Sequence, residues 1–434
     1  MKKKQTIKLT LSVFLMTFVL VASVFTVQTY ASTKTITLWD NYNAKNDRAA
    51  MRKIIEMFEE EYPDIKVEER VMPNLESDSI IRTSFTGGNP PDIHINEEPY
   101  SAKELLRKGK VMDLTDWFDK YGDRFSDAGL SSARTEDGRY YSVPFVVDSV
   151  VHVFYNKEIA EELNISEPKN YTEFLEACEK AKNAGYTPIA LGTKAGYPAL
   201  HWFNNFVGEF AGADAMKKII SRKSPDDGPK WTDPGFVKAA EKVYELAQKN
   251  YFPDGAAMMS YDTGNKMLFL SGDALFNFTG SWYTSWDISP EFDWGHFLFP
   301  EIEGVGKPGF TDGQMHYLMK FVAAKDTEHP EAVKKFLEFA TRPDVFYKTF
   351  FKMGNRIGAT KGSYRKEELT DFQEEVVWAI ENINVVEPPE VHMPSEVGYG
   401  TMYEKMTDMV AGLITPEEFA ELVEKAHQEA LKKR

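Results

Sequence analysis

Asp137 to Lys157, D-G-R-Y-Y-S-V-P-F-V-V-D-S-V-V-H-V-F-Y-N-K, is the stretch on which the reading of the fold turns. Asp137-Gly138 is a two-residue turn pattern and Tyr140 to Val143 favours extended backbone. Pro144 fixes its own φ and holds Val143 in the β/PPII region, so a strand is expected to stop there. Val150 to Tyr155 is a second apolar, β-branched and aromatic run. Asp148 lies between the two runs in a segment that otherwise reads as buried, and a carboxylate in that setting needs a partner. Two readings of it stand side by side: a surface-loop or capping aspartate, and a ligand-facing acid beside a crossover between lobes.

Towards the N-terminus, Lys34 to Trp39 alternates apolar and polar as a strand does, and the polar loop Asp40-Asn41-Tyr42-Asn43 follows. Asp47 is placed to cap a helix whose Ala50, Ile54 and Phe58 share one face, Tyr62-Pro63 ends it, and Ile65 and Val67 start another strand. Strand, loop, helix, strand is the opening of an α/β lobe, where ligands sit outside the carboxyl ends of strands. Ser77 to Phe85 reads as a helix stopped by Gly87-Gly88. Pro90-Pro91-Asp92-Ile93 then leads into a short strand ending near Asn96.

Towards the C-terminus, Thr172 to Asn183 is helical, with Phe174, Cys178 and Ala181 on one stripe and Gly185 as its stop. In Tyr197 to Phe210 aromatic rings alternate with amides. Trp202 and Asn205 fall on neighbouring helical positions that face either the core or a cleft. Ser221 to Trp231 is polar and proline-bearing and reads as a surface insertion. Gly280-Ser281-Trp282-Tyr283 follows the strand-like Ala274 to Phe278. Gln314 and His316 precede the extended run Tyr317 to Ala323, and the remainder is helical, with Thr415-Pro416-Glu417-Glu418 a strong helix start.

The order Asp-Gly, aromatic, Val-Pro, an apolar run with one acid, then Phe154-Tyr155-Asn156-Lys157 resembles the first interlobe crossing of the extracellular solute-binding proteins of ABC importers. The nearest subgroup is the oligosaccharide-binding one that includes the maltodextrin-binding proteins. Phe58 to Val67, Gly88-Asn89-Pro90-Pro91-Asp92-Ile93, Gly280-Ser281-Trp282, Lys325 to Pro330 and Gly398-Tyr399 resemble further segments of that family, in the same order.

The resemblance implies an α/β, two-lobe periplasmic-binding-protein-like (type II) fold with discontinuous lobes and about three crossings. On that basis 1–31 is a signal peptide, 32–145 and 305–357 form one lobe, and 146–304 and 358–434 form the other. It further implies that Asn41, Asn43, Glu97, Glu98 and Asp148 meet ligand hydroxyls and that Trp282, Trp202 and Tyr399 stack, with Asn205 beside them. Pyranose C–H faces are apolar and lie flat on an indole, whereas the rim hydroxyls need amides and carboxylates. Glu97 and Glu98 have a second reading as the acidic first turn of a helix. The expected ligand is a neutral carbohydrate and the expected partner the transmembrane subunits of an ABC permease, with the protein a monomer. Two alternatives are an exported glycan-degrading hydrolase and the same fold binding a polyamine through carboxylates and cation–π contacts.

Composition agrees with an exported binding protein. The 434 residues are 42% hydrophobic and 13% aromatic, enough for two buried cores. With 51 basic against 67 acidic residues the net charge is -16, which argues against a nucleic-acid surface. Lys2, Lys3, Lys4 and Lys8 precede an apolar run ending in Thr29-Tyr30-Ala31, as in an export signal; an uncleaved anchor needs ~20 apolar residues. The single cysteine, Cys178, precludes an internal disulfide and reads as a buried hydrophobe. The absence of a lipobox cysteine after the signal points to a periplasmic or secreted protein. No H-E-x-x-H, zinc cluster, G-x-S-x-G or Walker motif occurs, and no catalytic residue, metal or cofactor is called for. Gly304 to Gly309 matches G-x-G-x-x-G, but Pro308 interrupts it and no helix follows.

Overall fold

The computed structural model describes residues 33–73, 76–96, 99–135, 137–285, 290–305, 312–382 and 384–433. Strand β1 (Lys34–Asp40) turns Ile36, Leu38 and Asp40 inward, as its alternation requires. The helix Lys45–Glu61 buries Ala50, Met51, Ile54 and Phe58, and β2 (Ile65–Val71) returns parallel to β1, with Ile36 opposite Val67. β3 (Ile93–Asn96) takes the other side of β1. The aspartate of the Pro-Pro-Asp pattern is structural: Asp92 accepts from the Thr37 amide at 2.8 Å, from the Thr37 hydroxyl at 2.9 Å and from the Thr327 hydroxyl.

β4 (Val143–Val150) and β9 (Asp312–Ala323) complete this sheet with two short strands, β10 (Ile357–Gly358) on β4 and β11 (Asn384–Val386) on β9. The resulting order is β10-β4-β9-β3-β1-β2. A second sheet of four strands, in the order β6-β7-β5-β8, is built from β5 (His152–Asn156), β6 (Thr187–Ala190), β7 (Ala274–Thr279) and β8 (Trp294–Leu298).

Pro144 does not stop the strand. β4 runs through it to Val150, and its pairing with β9 shifts register between Pro144 and Val146. A residue without an amide hydrogen is tolerated in a strand at such an irregularity. Asp148 is consequently inside a strand rather than between two, and the chain passes from one sheet to the other at Val151. The boundary expected at Phe145 therefore lies about five residues early on strand membership. The expected return to the other lobe at Ile357 does not coincide with a change of sheet either. β10 and β11 both belong to the seven-stranded sheet, while the helix between them lies where the halves meet and turns Phe372 onto Phe154, His152 and His296 of the four-stranded sheet. From Val391 onward side chains join the main core of the four-stranded sheet.

Ser221 to Trp231 is largely on the surface, as expected, but its two buried residues, Arg222 and Trp231, fasten the C-terminal helix. Arg222 is 1% exposed and donates through both terminal nitrogens to the Glu424 carboxylate at 2.9 Å, while Trp231 donates its amide to the same carboxylate at 3.0 Å and packs on Phe203. A fork-shaped guanidinium paired bidentately with a carboxylate can be buried where a lone charge cannot. That helix, Pro416–Lys432, starts with the capping box expected of Thr415 and Glu418. Cys178 is wholly buried, as its stripe demanded.

Candidate ligand-binding site

The sheet-to-sheet passage at Val151 places charged side chains where the two halves meet. Ile357 pairs antiparallel with Val147, so the residue before it, Arg356, comes opposite Asp148. Arg356 Nη2 donates to Asp148 Oδ2 at 2.8 Å, and Nη1 lies 3.4 Å from Asp47 Oδ2. The other half reaches into this cluster through one short turn, Ser281–Ser285, that follows β7. Ser281 Oγ donates to Asp148 Oδ1 at 3.0 Å and accepts from the Ser149 amide, and Ser285 Oγ donates to Asp47 Oδ2 at 3.0 Å.

Asp148 thus has the partner its burial required, and both of its carboxylate oxygens are engaged by protein groups rather than turned to a ligand. Asp47 is not the helix cap. The helix begins at Lys45, and Asp47 lies in its first turn with its side chain in the cluster. Burial pushes Asp47 up to about 6 against the pull of Arg356, and raises Asp148 as well.

The same turn presents Trp282. Its indole is half-buried, 5.6 Å from the His201 ring and 6.0 Å from the Tyr317 ring. A Cβ on Gly280 would lie 2.1 Å from that indole, so the glycine of Gly-Ser-Trp is what allows the ring to fold back over the turn. Tyr197 extends the wall beside His201 at 5.4 Å, and Tyr261 beside Tyr197 at 5.7 Å. Tyr399 is also half-buried and packs on Tyr403 at 4.9 Å.

Trp202 and Asn205 do share a face, but it is the inner one. Trp202 is fully buried among Phe174, Phe278 and Phe299, with ring centres at 5.9, 4.7 and 5.6 Å. Asn205 Nδ2 donates to the Val150 carbonyl at 3.1 Å and to the His201 carbonyl at 2.8 Å, tying the helix to the crossing. The expectation that they contact ligand is corrected accordingly: every residue from Pro198 to Gly208 of their helix is buried, which leaves no polar face for a cleft. Asn43 is exposed, yet its amide holds the loop together through the Asn41 and Met72 carbonyls at 2.9 and 3.0 Å. Asn41 is half-buried beside it. Glu97 and Glu98 lie outside the described residues. His316 is buried on β9, away from solvent.

Tyr317, His201, Arg356 and Glu390 were not singled out as site residues by their local sequence. Glu390 is fully buried, accepting from Asn204 Nδ2 at 3.0 and 3.3 Å and from the Tyr317 hydroxyl at 3.3 Å. Among the described residues no group of three or more His, Cys, Asp and Glu is arranged to hold a metal ion. No helix there is long and apolar enough to cross a membrane.

The buried acids give stability a definite pH dependence. Burial pushes Glu390 up to about 7 and Asp47 to about 6, and burial beside Glu69 raises Asp40. Groups raised in the fold contribute stability that is complete below the ordinary carboxylate range and lost as pH rises through their folded values. Glu375, between His152 and His296, and Glu387, beside Lys320 and His392, are held down at about 2; their contribution is present above the ordinary carboxylate range and lost towards pH 2. The buried imidazoles of His94, His201 and His316, pushed down to about 3, favour the fold increasingly as pH rises to the ordinary histidine range and so oppose the raised acids. The thermal midpoint is therefore expected to be nearly level from about pH 4.5 to 6.5 and to fall below and above that window. A midpoint that climbs steadily from pH 5 to 8.5 in a calorimetric series would contradict this assignment of charges.

Residues 43–345 match the family described as bacterial extracellular solute-binding protein, and the chain belongs to that family. A multiple sugar-binding protein of Streptococcus mutans is 24% identical across 74% of this chain and 74% of its own length. The maltodextrin-binding protein MdxE of Bacillus subtilis is 24% identical across 70% of this chain and 69% of its own. An ABC transporter extracellular-binding protein of Pyrococcus horikoshii is 26% identical over 67% of this chain, which spans 64% of that relative, a little under two thirds. Among solved structures, a chitin oligosaccharide binding protein matches with a TM-score of 0.80 over 92% of this chain and 100% of that one, at 22% identity. The solute receptor AcbH, described as preferring β-D-galactopyranose, matches with a TM-score of 0.80 over 92% and 99%, at 23% identity. These likenesses establish the two-lobe, type II arrangement.

Proposed function

We propose that this chain is the substrate-binding component of an ABC importer and that it captures a neutral oligosaccharide between its lobes. The observation that carries this reading is the half-exposed Trp282 at the junction of the two sheets, flanked by His201 and Tyr317. A flat indole bounded by tyrosines fits the apolar face of a pyranose ring. The turn that carries Trp282 also closes on Asp47 and Asp148 through Ser285 and Ser281, so movement of one half against the other moves the stacking surface with it. Arg82 of the first half also meets Ser395 of the second.

Ligand contact with both halves would favour the closed state by its differential affinity for it. The names of the relatives, sugar- and maltodextrin-binding, support a carbohydrate over a polyamine. Delivery would be to the transmembrane subunits of a permease, from outside the membrane, with no covalent change to the sugar.

A thermal-shift screen of neutral di- to hexasaccharides and linear polyamines, with chromatography of the sugars afterwards, tests this. A stabilising shift with one oligosaccharide series, and recovery of that sugar intact, is the expected result, because binding to the folded state alone raises the midpoint by mass action. Cleavage products would establish the hydrolase instead, and a shift confined to amines would transfer the site to that class.

A further inference from the structure

Glu390 is a buried acid with no cation bonded to it among the described residues. It stands in the short turn Pro389–His392 that follows the passage out of β11, and its burial calls for a reason, since an unpaired carboxylate is unfavourable away from water. Its side chain accepts from the Tyr317 hydroxyl and from Asn204 Nδ2. Its backbone is equally committed: a Cβ on Gly398 would lie 2.2 Å from the Glu390 carbonyl oxygen, so the turn bearing Tyr399 is seated directly on it. One residue therefore touches the support of two parts of the aromatic wall. Tyr317, which it grips, meets both Trp282 and His201 at 6.0 Å.

We propose that Glu390 is the positioning residue of the aromatic wall, its carboxyl group fixing Tyr317 against Trp282 so that a neutral sugar ring finds the stacking surface already formed. This rests on the wall being the carbohydrate-contacting surface.

The ionised carboxylate grips the Tyr317 hydroxyl by a charge-assisted bond, whereas the protonated acid offers only a neutral acceptor or donates a proton itself. Among the described residues Asn204 Oδ1 has no bonded partner, and a turn of the amide, whose Nδ2 now faces Glu390, would let it receive that proton. Burial pushes the Glu390 carboxyl up to about 7, so the exchange between the two forms falls near neutral pH. No surrounding charge controls it. On β9, Lys320 is paired with Glu387, which also takes His392. On the helix Pro99–Arg107, Arg107 pairs with Glu104 and Lys103 lies over the Tyr141 ring. Asp214, Lys217 and Lys218 of the helix Ala213–Ile220 and Glu396 of the Tyr399 turn face solvent. His201 is held neutral, pushed down to about 3 by burial.

The test needs no sugar in its first arm. Tryptophan emission of the ligand-free full chain, followed from pH 5.5 to 8.5, is expected to show a transition near pH 7. That transition should vanish in Glu390→Gln and in Tyr317→Phe, and Trp282→Phe should remove its amplitude. A transition that persists unchanged in Glu390→Gln overturns the proposal. Tyr317→Phe keeps Glu390 and its packing and so decides the matter if the glutamine variant does not fold.

In the second arm, isothermal titration with malto-, cello- and chito-trisaccharides is expected to give a Kd about three- to tenfold weaker at pH 5.5 than at pH 8. Glu390→Gln should bind with the weaker value at both. Equal pH dependence in the two proteins again overturns the positioning role. If no trisaccharide binds the wild type at either pH, the carbohydrate reading falls, while the emission arm still decides whether Glu390 holds Tyr317.

Discussion

Trp282→Ala is expected to weaken binding of the neutral oligosaccharide selected by thermal shift by about 30- to 150-fold, about 2–3 kcal/mol, the size of effect seen when a central aromatic anchor is truncated. The argument is local. The indole is half-buried, so its removal exposes little core, but it is the ring that bridges Tyr317 of one sheet's strand and His201 of the other half's helix. Losing it removes the stacking surface and leaves Tyr317 with its His201 contact but without the indole. The variant's unfolding midpoint should fall far less than its affinity does, since Gly280 and the Ser281–Ser285 turn keep their own contacts. Titration calorimetry beside circular dichroism separates the two quantities. An affinity within a factor of about two of the wild type would remove Trp282 from the site.

Arg356→Met is expected to destabilise the chain by about 3–5 kcal/mol at pH 8, because it leaves two carboxylates buried together with no cation. Asp47 and Asp148 are 3% exposed each, and the guanidinium is the only cation bonded to them among the described residues. The loss should shrink as pH falls towards 5, where both acids can take a proton, and Asp148→Asn in the Arg356→Met background should recover part of it. Urea denaturation at the two pH values measures both effects. A loss under about 1 kcal/mol at pH 8, or one indifferent to pH, would mean the cluster is not held by charge. Because Ser281 and Ser285 come from the other half and bond this cluster, the same variant should also loosen the hold of one half on the other, visible as a larger radius of gyration in solution scattering.

Much of the architecture could be read without coordinates because it rests on neighbours along the chain. The period-two pattern of Lys34 to Trp39, the face made by Ala50, Ile54 and Phe58, the Gly185 stop and the Thr415 capping box each depend on residues within a turn or two, and each formed as read, the strand running one residue further to Asp40. Gly-Ser-Trp was legible only through its resemblance to a family segment; that Gly280 is needed for the indole to fold back over the turn is visible in the structure alone. The reading went astray where distant segments decided. Pro144 was taken as a stop, but the bulge that admits it depends on β9, which pairs with β4 from more than 160 residues further on. Trp202 and Asn205 had the correct helical spacing, but the Phe278 and Phe299 side chains, far along the chain, surround that face.

What the order of residues established by itself was an α/β opening and an acid in need of a partner, while the two-lobe fold and the stacking roles expected of Trp282, Trp202 and Tyr399 came from resemblance to a family. The former followed because periodicity, turn chemistry and the cost of burying a carboxylate are properties of a local window. Which groups answer those needs was a matter for the folded molecule. The partner of Asp148 is Arg356, 208 residues away, and the support of Trp282 comes from Tyr317 and, through it, Glu390. Such pairings depend on strand register and on where the chain changes sheet, and no short stretch carries that information.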